Sequence, residues 1–431
     1  MASSRRVVAM SRLFALTAVG LCIIASRADS ADIGTSFRRG IGISHAMAWA
    51  RIDSVTRDFA FPPFSEPANA LTGNELQSLR RTGFDFVRFA VDPGPFLQFQ
   101  GPRRDALDDI LFDGVSRILA ARLSVVVDFH PSDLHPNYTA RALTAGLNTP
   151  LYQSYLRMLE RTARLLDRLR SHKVAIELMN EPPRPPDVWQ PMLEAAYAAV
   201  RRGSSNLPVV LDGGQEASAT ALLAMRTAAF AQDPAVLFSF HYYDPYQFTH
   251  QGASWNDARY LADVPYPALA RSAADSLEAT ATAIGETNLD EDQKSSAYRD
   301  ARKRLESYRR SGFDGNAIAN SFEQIANWAR SQGVAPDRIM LGEFGARKTD
   351  LQFSGSRHAE RAQWFHDVRE QAEVHGFGWA VWAYRGGGGF ALARGETSDD
   401  IEPSIAQALG LTTSSRAGAA APALDTSQAR P

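Results

Sequence analysis

The feature that most limits what this chain can fold into is an alternation, along almost its whole length, of short β-rich apolar segments with longer amphipathic ones. Eight of the former can be read: Arg39 to Ser44, Phe84 to Val91, Ser124 to His130, Val174 to Asn180, Pro208 to Gly213, Val236 to Tyr243, Arg338 to Gly345 and Gly378 to Tyr384. Between them apolar residues recur at helical spacing over Asn74 to Arg81, Asp105 to Arg122, Leu151 to Arg170, Pro191 to Arg201, Ala217 to Arg226, Ile318 to Ser331 and Arg357 to Val374, with a short stretch at Pro403 to Leu409. Apolar strands each followed by a helix suit a parallel sheet covered by helices, and eight such units suit an α/β fold, the closed (β/α)8 TIM barrel. An open doubly wound sheet would usually carry a glycine-rich phosphate loop after its first strand. Here that strand runs into Ile43-Ser44-His45-Ala46-Met47, which has none. One catalytic domain over 38–411 is therefore expected, although the length of 431 residues would by itself suggest two or three.

One connection breaks the rhythm. From Asp244 to about Ala317 the chain runs on between the sixth strand and its helix, with aromatics near the start (Tyr246, Phe248, Trp255) and a charged helical pattern from Ser295 to Arg310. Connections of that length are usually functional or disordered, and a partly ordered lid over the site is expected for 244–317. Residues 412–431, mostly Ala, Ser, Thr and Pro, read as a disordered tail.

At the other end Arg5, Arg6 and Arg12 precede an apolar run from Leu13 to Ala25, and no acidic residue occurs before Asp29. That is the layout of an export signal over 1–28, with small residues at Ser26 and Ala28 for cleavage. The apolar run is shorter than the about 20 residues that span a bilayer, so no stable membrane association is expected after cleavage. The single cysteine, Cys22, lies inside the segment, which leaves a disulfide-free periplasmic or secreted product stabilised by its core. Loss of four arginines (5, 6, 12 and 27) takes the formal charge from −2 to −6, which does not favour nucleic acid as a partner. A monomer is expected.

In barrel enzymes the chemistry sits at the C-terminal ends of the strands. Those ends carry Arg88 in the second, Asp128-Phe129-His130 in the third, Asn180-Glu181-Pro182 after the fourth, His241-Tyr242-Tyr243 in the sixth, Glu343-Phe344-Gly345 in the seventh and Trp382 in the eighth. Glutamates at the ends of strands four and seven are what glycosidic cleavage needs, one to protonate the leaving oxygen and one to attack the anomeric carbon. Side chains alternate along a strand, so Glu177, Met179 and Glu181 share one direction and Asn180 the other. For Asn180 and Glu181 both to face the site, the strand must bend or bulge at its end, where Pro182-Pro183 makes a termination plausible.

The segments Glu177-Leu178-Met179-Asn180-Glu181-Pro182 and Leu341-Gly342-Glu343-Phe344-Gly345 resemble the two signatures of glycoside hydrolase family 5, the cellulase family. The resemblance implies a retaining endo-acting β-glycanase with Glu181 as acid/base and Glu343 as nucleophile, and it implies no cofactor. It further implies that Arg88, His130, Asn180, His241, Tyr243 and Trp382 surround the reacting sugar of a polysaccharide or oligosaccharide substrate. Arg88 would hold Glu343 ionised, Tyr243 would donate to the same carboxylate, Asn180 would contact the 2-hydroxyl, and Trp382 would form the floor. Glu181 must carry its proton before cleavage, which a negative Glu343 nearby favours.

Other residues admit two readings. His45, His250, Trp49, Trp189 and Trp255 follow strands and could meet sugar or simply pack, with His45 and Trp255 retained as candidate substrate contacts. Trp328 and Trp364 lie in helical patterns and read as core. His130 and His241 could instead bind zinc, but no His-x-His pair follows the first strand, and no metal site is expected. A non-catalytic carbohydrate-binding protein on this scaffold would be free to lose either glutamate, and both are present. As substrate, β-1,4-glucan comes first and β-mannan or another β-linked polysaccharide next; Phe248-Thr249-His250-Gln251-Gly252 resembles a stretch of some bacterial cellulase-like members, which favours glucan.

Overall fold

The computed structural model describes residues 33–66, 70–348, 355–386, 388–393 and 401–412; the expected export segment and all but the first residue of the expected tail lie outside them. Eight parallel strands close in sequence order into a barrel: β1 (Arg39–Met47), β2 (Phe86–Val91), β3 (Ser124–Phe129), β4 (Val174–Glu177), β5 (Val209–Asp212), β6 (Val236–Tyr242), β7 (Ile339–Phe344) and β8 (Gly378–Val381). The (β/α)8 architecture is the one expected.

Strand periodicity builds the barrel interior in two layers of opposite character. The lower layer is apolar, with Phe86, Val126, Ala175, Val210, Leu237, Met340 and Ala380 each contributed by a different strand and plugged from below by Ile33 and Phe37. Only β1 sends in no side chain, because the Phe86 ring fills that space: a Cβ on Gly40 would lie 2.2 Å from it. Two residues further along β2 to β6 the same face carries Arg88, Asp128, Glu177, Asp212 and Ser239, all nearly or fully buried. Gly42 leaves room there for the Trp382 ring, 2.6 Å from where its Cβ would be. An apolar plug thus sits directly beneath a polar layer.

The helical shell follows from local sequence as expected at most positions. Gly73–Thr82 opens with a capping box between Thr72 and Glu75 and closes on left-handed Gly83. Two helices differ from the expectation. Pro191 reads as a helix start, but Pro186–Gly203 begins five residues earlier and carries Pro191 inside it, at the cost of one helix hydrogen bond. Ala217 to Arg226 becomes two short pieces, Gly214–Ala217 and Ala219–Leu223.

The long connection differs more. Within it Tyr246–Thr249, Ala273–Gly285 and Glu291–Ser311 are helical, and the segment is tied down by Arg271 to Glu360 (2.6 Å), Arg357 to Asp263 (2.6 Å) and the Tyr308 hydroxyl to the Pro265 carbonyl (2.7 Å). The two longer helices contribute nothing to the cleft wall, which takes from this connection only Asp244, Tyr246, His250 and Trp255. The apolar stripe of the two longer helices (Ile284, Ala301, Leu305, Tyr308) packs into the main core and anchors them beside the barrel. Among the described residues no helix is long and apolar enough to cross a membrane.

Candidate active site

At the C-terminal mouth of the barrel a cleft of about 870 Å³ opens, lined by His130, Asn180, Glu181, His241, Tyr243, Glu343 and Trp382 among others. Strand four positions the first glutamate by ending early. β4 stops at Glu177 rather than Asn180, the Asn180 amide bonds back to the Phe129 carbonyl (2.8 Å), and Glu181 adopts a left-handed φ of 45°. This is the bend that lets both Asn180 and Glu181 face the cleft. A non-glycine residue in that region is held at a cost of order 1–3 kcal/mol, which is tolerated where the surroundings over-determine it.

The second glutamate comes straight from β7. Glu343 is almost buried, with Arg88 Nη1 donating to Oε1 (2.5 Å) and the Tyr243 hydroxyl donating to Oε2 (2.8 Å). Burial alone would raise its pKa, but the charges of His241 and Arg88, then His130, and the Tyr243 hydrogen bond together hold it below the ordinary value. Glu181 is more open, with a third of its side chain exposed and Oε1 at 2.9 Å from His241 Nδ1. One oxygen of Glu181, one of Glu343 and the His241 nitrogen all lie within 4.8 Å of one another.

Arg88 is fully buried and organises the layer beneath. Nε and Nη2 grip Glu177 (2.8 and 2.5 Å), Nη2 also reaches Asn180 Oδ1 (2.8 Å), and Asp128 Oδ2 is at 3.2 Å. Asp128 in turn holds His130 Nδ1 at 2.8 Å. Burial opposes charge on His130, but Asp128 outweighs it and raises the pKa. The His130 ring lies flat against Trp382, centroids 5.2 Å apart and planes 3° apart, which fixes the indole at the cleft floor.

Of the remaining sequence candidates, Trp255 and Trp49 stand on the cleft wall, each more than half exposed. His250 lines the cleft but is stacked on Tyr246 at 3.9 Å, and burial, aided by Arg347, depresses its pKa to about 3. His45 is not part of the cleft lining: it is buried, with Nε2 3.2 Å from Glu75 Oε1. Trp189 is core, its indole donating to the Asp212 carbonyl (2.9 Å). Sequence reasoning did not single out Asp212 or the wall residues Gln215 and Glu216. The strand-end rule applied to strand five would have found the first. The other two sit in a run with Ala217 of three left-handed residues, φ 50°, 55° and 54°, that no local motif announces.

Two groups among the described residues have donor atoms close enough for a metal ion: Glu177, Asp212 and His241, and Glu181, His241 and Glu343. The first shares Glu177 with the Arg88 guanidinium, whose charge would oppose a cation there.

Residues 56–387 match the family model described as cellulase (glycosyl hydrolase family 5). The chain belongs to glycosyl hydrolase family 5. Among curated relatives this family 5 chain is 25% identical to Endoglucanase 3 of Fibrobacter succinogenes over 338 residues, 73% of this chain and 46% of the relative. It is 24% identical to Endoglucanase C of Acetivibrio thermocellus over 207 residues, 46% of this chain and 58% of the relative. The family 5 chain thus spans about half the length of the curated relatives it matches. Its fold is shared with a solved endoglucanase (TM-score 0.63, 20% identity, 88% of this chain and 99% of the other). It is shared also with Cel5A of Thermotoga maritima in complex with cellobiose (TM-score 0.62, 18% identity, 88% and 100%) and with cellulose synthase subunit Z of Clostridioides difficile (TM-score 0.60, 20% identity, 86% and 99%).

Proposed function

We propose that this family 5 protein is a retaining endo-β-glycanase that cleaves β-1,4-glucan by double displacement. The observation that carries the reading is the separation of its two glutamates: oxygens of Glu181 and Glu343 lie within 4.8 Å. Retaining enzymes hold their carboxyl groups about 5–5.5 Å apart, whereas inverting ones need roughly 6.5–9.5 Å to admit a water. Glu343, ionised between Arg88 and Tyr243, attacks the anomeric carbon while Glu181 gives its proton to the departing glycosidic oxygen. In the second half Glu181, now a carboxylate, takes a proton from water as that water displaces Glu343 from the sugar.

Asn180 contacts the 2-hydroxyl, His130 supports the sugar from the side, and Trp382 forms its floor. Trp49 and Trp255 on the walls favour a long chain lying across an open cleft, hence endo action. Glucan is favoured by the curated endoglucanase relatives and by a fold neighbour in complex with cellobiose. β-Mannan is the second reading, because another structure of that neighbour holds mannotriose. Reducing-sugar release across soluble β-1,4-glucans, mannans and xylans tests the choice. Glucan should be cleaved fastest, and mannan cleaved faster would overturn the glucan reading. The residues 1–28 pattern supports export to the periplasm or medium, checked by fractionation of the expressing cells, and the working unit is proposed to be a monomer, checked by light scattering.

A further inference from the structure

The polar layer under the cleft contains more carboxyl groups than the Arg88 guanidinium can pair. Asp128, Glu177, Asp212 and Glu343 reach into it from β3, β4, β5 and β7, and all are nearly or fully buried. Arg88 directs its donors to Glu177, Glu343 and Asn180 and lies 3.2 Å from Asp128. Asp212 receives none of them. Neither of its buried oxygens stands at hydrogen-bonding geometry to a fixed donor, and the same is true of the neighbouring Ser239 Oγ and His241 Nε2. The groups that face it are Glu177 from β4 and Ser239 and His241 from β6; Asp212 and Ser239 are register partners, and an oxygen of Glu177, an oxygen of Asp212 and a ring nitrogen of His241 lie within 4.8 Å of one another.

A second unpaired anion beside Glu177, out of water, would be strongly disfavoured. A carboxylic acid there would instead supply an O–H for a short charge-assisted bond to the Glu177 carboxylate. We propose that Asp212 stands in the resting protein as an uncharged carboxylic acid donating its proton to Glu177, and is thereby a positioning residue that sets how Arg88 divides its charge between Glu177 and Glu343. Burial, then the charge of Glu177, pushes the Asp212 carboxyl well above the ordinary carboxylate range, while Glu177, which burial alone would raise, is held at about 2 chiefly by Arg88. With the Asp212 proton shared, Glu177 pulls less strongly on the guanidinium, and Arg88 Nη1 stays on Glu343. Without a donor at this position Arg88 is drawn towards Glu177, and Glu343 ionises less readily. The functional part rests on Glu343 being the nucleophile.

The test has a spectroscopic and a kinetic arm, both on the full chain. In the infrared at neutral pH, the wild type should show the carbonyl stretch of a protonated, buried carboxylic acid that is missing from Asp212→Asn; no such difference overturns the proposal. Asp212→Asn still offers an N–H to Glu177 and should keep kcat/KM within about threefold with its acid limb in place. Asp212→Leu, of similar shape but without a donor, should lose about tenfold and move the acid limb to higher pH, the order expected for one hydrogen bond to a charged group. A purely structural Asp212 would lower the melting temperature of both variants without moving that limb, which overturns the proposal. So would equal damage from Asn and Leu, or wild-type activity lost in chelator and restored by a divalent ion, since Glu177, Asp212 and His241 would then be holding a metal. If Asp212→Leu does not fold, the infrared band decides. Full activity in Glu343→Gln would remove the nucleophile assignment and leave the band untouched, so the two failures are distinguishable.

Discussion

His241 Nδ1 lies 2.9 Å from Glu181 Oε1, and the same nitrogen is 3.7 Å from Glu343 Oε2, so one imidazole edge stands between the two candidate catalytic carboxylates. The two carboxylates nevertheless have different surroundings: Glu343 is almost enclosed by donors, and Glu181 opens to the cleft. That asymmetry separates their proposed roles.

Replacing the two glutamates should separate the roles kinetically. Glu343→Gln is expected to reduce turnover roughly 10,000-fold or more, the scale of losing a covalent nucleophile, with the fold kept. Glu181→Ala should lose about 100- to 10,000-fold on polysaccharide, the contribution of a general acid, yet still form the glycosyl-enzyme from an aryl glycoside whose leaving group needs no protonation. Steady-state and burst kinetics on both substrates check this.

The pH profile should report the nucleophile. Glu343 is held below the ordinary carboxylate value, so its reactive form persists as pH falls through that range and is lost only lower. Tyr243→Phe removes the 2.8 Å hydrogen bond. The acid limb of kcat/KM should then move to higher pH by up to about one unit, and the plateau should fall roughly tenfold. An unmoved limb would mean that Tyr243 does not act on Glu343.

Arg88 should matter for stability as much as for rate. Arg88→Leu leaves Glu177, Asp128 and Glu343 buried without their cation, expected to cost about 3–5 kcal/mol near neutral pH. In the wild type, Glu177 with its lowered pKa contributes stability that is complete above the ordinary carboxylate value and lost as pH falls towards 2. In the variant the same carboxyls prefer to be neutral, so acidification relieves it. Denaturation midpoints across pH should show the gap between the two proteins narrowing in acid.

The wall tryptophans should act on binding. Trp255→Ala removes an indole that is 56% exposed, and KM on long substrates should rise about fivefold, near 1 kcal/mol, with kcat little changed. Trp328→Phe in the helical shell should instead cost stability without moving KM.

Strand order and barrel closure were legible because each strand is a short apolar run with helical periodicity after it, a local signal that eight repetitions reinforce. Arg88, His130, Asn180, Glu181, His241, Tyr243, Glu343 and Trp382 could be picked out because strand ends converge in this fold; the structure places all of them but Arg88 on one cleft, while Arg88, expected as a substrate contact, is fully buried beneath it and reaches the site through Glu343. His45 sits at an equally suggestive place, but its side chain turns to Glu75, a choice made by packing 30 residues away in sequence. The same holds for Trp189, which Asp212 draws into the core, and for Pro191, where tertiary packing carries a helix through a residue that usually begins one. The packing of the long connection was not legible, because length alone says nothing about which face of its helices is apolar.

The most direct test of the central claim is the anomer first released from a β-linked oligosaccharide, followed by NMR before mutarotation. The separation of Glu181 and Glu343, within 4.8 Å at their nearest oxygens, predicts β-anomer as the initial product, through a covalent intermediate on Glu343. Initial α-anomer would contradict the nucleophile role of Glu343 and the double displacement with it.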